Sequence, residues 1–325
     1  MDTEQYYKKD WLPISLLGKL ACMMNTQKIT PNLWFNGNAK EATDFYVSVF
    51  PDTKVIATSH YPNSKEEGLA DFQLNMAGEV LTVEFEVMNF RFVAINAGPE
   101  FTPNPSISFF ITLDSKEAID ALWGKLVDGG KELMPLGEYP FSKYYGWVQD
   151  KYNVSWQLIL NNPEGDQRPK VMPSLLFTQD KKGKAEEAIT FYTSVFKNSK
   201  MGQLVRRSED DPMAKAGTLM FGDVMLEDTW IAAMDGGEEH EFTFNEGVSL
   251  SIACKDQDEI DYYWQKLIAG GGEESVCGWL KDKYGVSWQV APANMEALME
   301  KPNAFANMMK MKKIIIADFE AAPNS

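Results

Sequence analysis

The segment GWVQDKYNVSWQ at residues 146–157 recurs as GWLKDKYGVSWQ at residues 278–289, and nine of the twelve positions are identical. Three further pairs of segments recur in the same order: 28–35 with 170–177, 39–50 with 185–196, and 107–130 with 248–271. Chance does not place four such matches in register. The chain therefore contains two diverged copies of one domain of roughly 130–145 residues.

The matched segments set the predicted domain boundaries. We expect a first domain at 28–161, a linker at 162–169, a second domain at 170–294 and a helical C-terminal tail at 295–325. We expect residues 1–27 to be an N-terminal extension, of which 1–23 are either an upstream extension of the gene model that is not part of the protein or a short helix packed on the domain. The offset between the copies drops from 141 to 132, which predicts nine extra residues in the first copy near 136–145.

Each copy has the pattern of two βαβββ modules, which predicts an α+β fold. In the first helix, residues 42, 45, 46, 49 and 50 are apolar and share one helical face. Strand-length segments follow at 55–59, 69–76, 80–87 and 91–96. A strand at 106–113 then precedes a helix at 115–128 that begins with a capping pattern. We expect two further strands to close the copy, the last at 154–160.

Composition excludes several classes of function. The formal net charge of −16 opposes unassisted binding to nucleic acid or to an anionic membrane. The three cysteines, Cys22, Cys254 and Cys277, show no metal or disulfide spacing, which favours a cytoplasmic protein. Without a nearby histidine, Cys254 and Cys277 are expected to be buried apolar groups, and His240 is expected to be a solvated loop residue.

The doubled βαβββ plan, with WFNGNAKEATDFYVSVF at 34–50 and GWLKDKYGVSWQ at 278–289, resembles the vicinal oxygen chelate superfamily of glyoxalases, bleomycin-resistance proteins and dioxygenases. Within it the chain is similar to the PhnB-like family, often labelled 3-demethylubiquinone-9 3-methyltransferase-like. The resemblance implies tandem glyoxalase-like domains whose strands curl into half-open barrels around a small-molecule cavity. It covers about residues 28–291.

The resemblance also implies positions for a divalent metal. The first-strand ligand would fall near Pro31 and Pro173, the fifth-strand ligand near Ser108 and Ser249, and the eighth-strand ligand on Gln157 and Gln289. These residues supply neither charge nor imidazole, so we expect no metal site and no cofactor. The methyltransferase label is not matched by a glycine-rich dinucleotide-type motif in the sequence.

What the resemblance leaves is a cavity, and we expect these candidate lining residues: Trp34, Ser108, Trp147, Gln157, Ser249, Trp279 and Gln289. The tryptophans either form an aromatic wall for a ligand or pack the core. Gln157 and Gln289 either bind a ligand or hydrogen-bond within the sheet. Because strands alternate faces, Trp156 and Trp288 should point away from the cavity, under a helix. Asp150 and Asp282 are expected in tight turns with solvated charges.

These features favour a small-molecule-binding protein without a required metal. Two alternatives stay open: an enzyme, either of the methyltransferase-like type or a metal-assisted lyase or isomerase, and a scaffold that binds a partner protein. The duplication implies that modules from both copies complete each cavity, giving a pseudo-two-fold monomer or a homodimer. Divergence between the copies further predicts that only one cavity keeps its ligand preference, so that one ligand does not occupy both cavities equally.

Overall fold

A computed structural model describes residues 27–208, 215–237 and 240–320; most of the N-terminal extension, with Cys22, lies outside the described residues. The strands of the first copy are β1 (Ile29–Phe35), β2 (Thr53–His60), β3 (Val80–Val87), β4 (Phe90–Asn96), β5 (Ile107–Leu113), β6 (Lys131–Tyr139), β7 (Ser142–Gln149) and β8 (Ser155–Leu160). Those of the second copy are β9 (Val171–Phe177), β10 (Ser199–Arg206), β11 (Leu219–Leu226), β12 (Thr229–Asp235), β13 (Val248–Cys254), β14 (Glu273–Glu274), β15 (Trp279–Lys281) and β16 (Ser287–Pro292). The α-helices are α1 (Ala39–Val49), α2 (Lys116–Val127), α3 (Ala185–Val195), α4 (Gln257–Ile268), α5 (Met295–Met299) and α6 (Ala304–Met308).

The strands form two eight-stranded sheets, and each sheet contains one module from each copy. Sheet 1 has the order β14-β15-β16-β13-β1-β4-β3-β2, and sheet 2 has the order β10-β11-β12-β9-β5-β8-β7-β6. The copies meet where β1 pairs antiparallel with β13 and where β5 pairs antiparallel with β9. Each half-open barrel is therefore completed across the duplication, as the sequence implied.

The core lies between the sheets, on the faces that carry the helices. Helix α1 packs on β3 and β2, and α2 packs on β7 and β8. Buried aromatic rings join the two modules of one copy: Phe92 lies 4.9 Å from Phe109, and Phe50 lies 4.6 Å from Trp156, between ring centroids. Trp288 makes the matching contacts in the second copy. The prediction that both tryptophans lie under a helix is confirmed.

Among the residues that the structure describes, no long helix packs on the opposite face of each sheet, and we call it the inner face. Both sheets curve toward it, because side chains from strands three places apart in the strand order touch there. Trp34 on β1 contacts Trp279 on β15 in sheet 1, and Phe110 on β5 contacts Phe221 on β11 in sheet 2. Neither sheet closes into a barrel, so the two inner faces are open grooves.

Three sequence predictions need correction. The segment predicted as a strand at 69–76 contains a 3₁₀ helix, Asp71–Met76, because glycines with positive φ at Gly68 and Gly78 interrupt the extended course. Three strands, not two, follow α2. As far as residue 320, the tail predicted to be helical contains short helices, α5 and α6, and the 3₁₀ turn Ile316–Glu320.

The nine extra residues of the first copy lengthen one hairpin. Strands β6 and β7 form long partners at the edge of sheet 2, whereas β14 and β15 are two and three residues long. The C-terminal tail instead contacts both ends of sheet 1. The amide of Cys277, just before β15, donates to the carbonyl of Met311, and Phe305 packs on Tyr61, just after β2. The two inner faces therefore have different borders.

Candidate functional site

The inner face of sheet 2 contains a hydrogen-bonded chain of three buried side chains. The Tyr145 hydroxyl donates to Gln157 Oε1 at 2.6 Å, and Gln157 Nε2 donates to Ser108 Oγ at 2.7 Å. Burial raises the pKa of Tyr145 far above its ordinary value, so the phenol is a neutral donor. Gln157 thus lies on the inner face and hydrogen-bonds within the sheet, as the second of its two interpretations expected.

An apolar cluster surrounds this chain. Its buried members are Phe110, Tyr145, Met172 and Ala232, and the partly buried side chains packed on them are Met134, Tyr139, Trp147, Ile159, Phe221, Trp230 and Met234. The cluster is separate from the main core, because it lies on the face that carries no helix. Aromatic and thioether groups of this kind offer a polarizable wall that adapts to a small molecule.

Three polar atoms in this region are buried without a hydrogen-bond partner: Trp147 Nε1, Ser155 Oγ and Ser174 Oγ. Ser155, Ser108 and Ser174 are register partners on β8, β5 and β9, so their side chains form one row across the sheet. An unpaired buried donor costs about 1–3 kcal/mol. Three of them on one inner face indicate a place where a ligand or water completes the hydrogen bonds.

Two segments that the sequence analysis did not connect with a site border this face. Arg168, in the linker, donates from Nε to Asp223 Oδ2 at 2.6 Å. Its guanidinium carbon lies 3.9 Å from the centroid of the Trp230 ring, over the face of that ring. His240 is half-buried, 6.5 Å from Trp147 between ring centroids, and is not a solvated loop residue as predicted. Because side chains alternate faces along a strand, the placing of Trp147 in the cavity also predicts that Tyr145 lies on the same face. The contacts of Arg168 and His240 depend on tertiary structure and could not be predicted in this way.

On the inner face of sheet 1, Gln289 occupies the position that Gln157 has in sheet 2, but the side chains around it differ. Gln289 Nε2 donates to Ser249 Oγ at 2.9 Å. Cys277 stands two residues before Trp279, as Tyr145 does before Trp147, so the phenol donor is missing from the chain of hydrogen bonds. Trp34 and Trp279 lie 5.7 Å apart between ring centroids, and Trp34 Nε1 donates to the carbonyl of Gly98. These tryptophans are therefore on the inner face of sheet 1, while Trp147 is on that of sheet 2.

A separate cavity of about 200 Å³ lies where β1 ends. Trp34 and Phe101 line it together with side chains of the 36–38 loop and of the turn at 151–153. The second copy has four extra residues at the corresponding loop, and Lys181 there lies close to Gly285, the counterpart of Asn153. The loop next to this cavity is therefore shorter in the first copy than in the second.

The donor positions for a metal need one correction. Pro31 is paired with Leu250, a core residue, whereas its neighbour Asn32 is paired with Ser249 on the inner face. The donor sets are therefore Asn32, Ser249 and Gln289 in sheet 1, and the corresponding Ser174, Ser108 and Gln157 in sheet 2. Amides and hydroxyls alone do not fit a zinc or nickel ion. Within the described ranges, no three His, Cys, Asp or Glu side chains are grouped as metal ligands.

The carboxylates of the repeated Asp-Lys-Tyr turns lie in the core, while Lys151 and Tyr152 also line the cavity at the end of β1. Asp150 accepts hydrogen bonds from Trp156 Nε1 at 2.8 Å and from the amides of Tyr152 and Val154, and Asp282 repeats this pattern. The tight turn is confirmed, but both carboxylates are buried, not solvated. Burial raises the pKa of Asp150 to about 6 and also raises that of Asp282.

Burial disfavours the thiolate form of both described cysteines. Burial raises the pKa of Cys254 to about 12 and that of Cys277 to about 11, so little thiolate forms near neutral pH. The prediction of buried thiols holds for Cys254, while Cys277 is half-buried. No helix in the described parts of the chain has the length and apolar character needed to span a bilayer.

Comparison with known proteins agrees with this architecture. A family model described as 3-demethylubiquinone-9 3-methyltransferase matches residues 27–159 and again residues 169–291. The PhnB protein from Bacillus cereus is 39% identical over 42% of this chain and 100% of its own, with a TM-score of 0.37. A protein from Staphylococcus aureus is 31% identical over 43% of this chain and 100% of its own, with a TM-score of 0.18.

A likeness of fold alone extends over both copies. Glyoxalase I from Zea mays is 13% identical over 82% of this chain and 94% of its own, with a TM-score of 0.53. No curated protein matches the chain significantly. Because the family model matches both copies and together covers most of the chain, the protein belongs to the 3-demethylubiquinone-9 3-methyltransferase family and carries two copies of its domain.

Proposed function

We propose that the protein binds a neutral, planar small molecule on the inner face of sheet 2, without a required metal. One observation carries the proposal: Trp147 Nε1, Ser155 Oγ and Ser174 Oγ are buried without partners beside an apolar, aromatic cluster. A ligand with a carbonyl or ether oxygen would accept from these donors while its ring packs on the aromatic side chains. This combination is what a small apolar ligand with one or two acceptor atoms requires.

The electrostatics of the face favour a neutral ligand. Asp223 and Arg168 form an ion pair and neutralise each other, so neither side chain needs an oppositely charged group of the ligand. Tyr145 is neutral because burial raises its pKa, and its hydroxyl already donates to Gln157. An ionised ligand would lose hydration here without gaining an opposite charge. The family description names a demethylubiquinone, and a quinone ring is neutral and planar with two acceptor oxygens.

Duroquinone is a suitable probe, because its fully substituted ring cannot add to thiols. We expect saturable binding to the full chain by isothermal titration calorimetry. Trp147→Phe keeps a ring and removes the Nε1–H donor, and should weaken binding about 3- to 10-fold, the worth of one hydrogen bond. Trp279→Phe, at the matched position of sheet 1, should leave binding unchanged. Absence of saturable binding, or equal loss in both variants, would sink the proposal.

A second candidate function is catalysis on the bound ring, favoured by the position of His240. Its ring lies beside Trp147 and 5.0 Å from Phe242, and imidazole is the side chain suited to proton transfer near neutral pH. The test is to incubate the protein with a substituted hydroquinone and follow ring-proton exchange by NMR. Exchange that is faster with the protein and is lost in His240→Gln supports catalysis. No acceleration leaves binding as the function.

A further inference from the structure

The two inner faces have opposite chemical character at matched positions. Phe110 and Met172 are register partners in sheet 2, and their counterparts Ser251 and Thr30 are register partners in sheet 1. The change from apolar to polar continues on the neighbouring strands. The pairs, sheet 2 residue first, are Trp230 and Arg91, Met225 and Glu86, and Phe221 and Thr82. A face that has exchanged its apolar lining for polar groups is not suited to the same ligand.

One acidic side chain is retained on both faces, but its partner is not. Asp223 on β11 and Glu84 on β3 occupy the same position, and Asp223 is neutralised by Arg168 of the linker. Arg168 precedes Lys170 by two residues, and the residue two before the matching Lys28 is Thr26, which has no charge. In the described part of the chain, the cations on this face are engaged elsewhere: Lys54 and Arg91 pair with Glu86, and Lys281 pairs with Glu246.

Glu84 is therefore a half-buried carboxylate that forms no ion pair with any described residue. The row continues from Glu84 past Val93 on the adjacent strand β4 to hydrogen-bonding groups on the strands beyond it: Asn32 on β1, Ser249 on β13 and Ser287 on β16. Ser287 Oγ is buried without a hydrogen-bond partner. Trp34 and Trp279 add an aromatic border to this row, next to each other on the same face.

We propose that the inner face of sheet 1 is a second binding site, selective for a small organic cation of the arylalkylamine class. The ammonium group pairs with Glu84, polar groups of the ligand bond to the Asn32–Ser249–Ser287 row, and the aromatic ring packs against Trp34 and Trp279. The charge on Glu84 supplies the preference for a cation, because a neutral ligand leaves that carboxylate unpaired. Aromatic rings also attract the ammonium group itself.

Tyramine tests this proposal, and its neutral isostere 4-(2-hydroxyethyl)phenol controls for the charge. Isothermal titration calorimetry with the full chain should show saturable tyramine binding that weakens as salt is added, and little binding of the isostere. Glu84→Gln should weaken tyramine binding about 5- to 10-fold or more. Glu117→Gln makes the same change in net charge at an exposed position of α2, away from this face, and should change the affinity less than about twofold.

The outcomes separate this site from that of sheet 2. Duroquinone binding should be the same in Glu84→Gln as in the wild type, and tyramine binding should be the same in Trp147→Phe. Failure of duroquinone to bind would therefore overturn the proposed function without touching this inference. Equal loss of tyramine binding in Glu84→Gln and Glu117→Gln would mean general attraction to an acidic protein and would overturn the second site. So would a lack of saturable tyramine binding in the folded wild type.

Discussion

The buried carboxylate of Asp150 makes stability depend on pH in a defined direction. Its oxygens are fixed by Trp156 Nε1 and two backbone amides, yet burial raises its pKa from the ordinary value of 3.8 to about 6. The folded state therefore binds a proton more tightly than the unfolded chain. The resulting stabilisation is present in full below about pH 3.8 and is lost as the pH rises through about 6.

The magnitude follows from the two pKa values. The full span between them corresponds to about 3 kcal/mol, and between pH 5.0 and 7.5 the loss is about 1.4 kcal/mol. Asp150→Asn cannot titrate, so it lacks this dependence. The free energy of unfolding of the wild type, minus that of Asp150→Asn, should accordingly fall by about 1.4 kcal/mol over this range.

Urea unfolding at pH 5.0, 6.0 and 7.5 measures the difference, provided that the denaturant slope is the same in both proteins. Asp282→Asn is the matched variant in the second copy and should show the same sign, because burial also raises the pKa of Asp282. The double variant should combine the two effects, since the turns lie in separate modules. A difference that is constant with pH, or that increases as the pH rises, would refute the reasoning. It would mean that the donors outweigh burial and keep the carboxylate's pKa low.

Two further predictions concern the thiols and the pairing of the copies. In a Cys22→Ser background at pH 8, Cys254 and Cys277 should react with iodoacetamide more than about 100-fold slower than after unfolding in urea. The reason is that their pKa values of about 12 and about 11 leave little thiolate in the folded protein. Equal rates in the folded and unfolded protein would contradict these effects of burial. A chain cut at a specific protease site inserted after Gly165 should elute as one species in gel filtration without denaturant, because β1 pairs with β13 and β5 pairs with β9. Separation into two fragments would contradict the shared sheets.

The repeat made most of the fold predictable. Matched segments fixed the βαβββ modules, and alternation along β8 and β16 predicted that Gln157 and Gln289 face away from Trp156 and Trp288. The segment at 69–76 was mistaken for a strand because its apolar residues suggested one, while the glycines around it turn the chain. Such errors arise where local pattern and tertiary pairing disagree.

The environments of the site residues were harder to predict from the sequence than the fold was. Residue type predicted Asp150 to be solvated, but its burial follows from the packing of Trp156 against α1. The resemblance placed the first-strand ligand position near Pro31, whereas the register of β1 with β13 selects Asn32. The pairing of Arg168 with Asp223 joins positions 55 residues apart. Contacts of this kind depend on the fold of the linker, which short-range patterns do not encode.

The most direct test of the account is to locate duroquinone on the protein through its methionine methyl groups. Met134, Met172 and Met234 belong to the cluster on the inner face of sheet 2, whereas Met295, Met299 and Met308 pack on the main core from the C-terminal tail. With ¹³C-methyl methionine, the account predicts nuclear Overhauser effects from duroquinone to the first group and none to the second. Effects confined to the second group, or to methyl groups outside both, would place the ligand elsewhere and contradict the central claim.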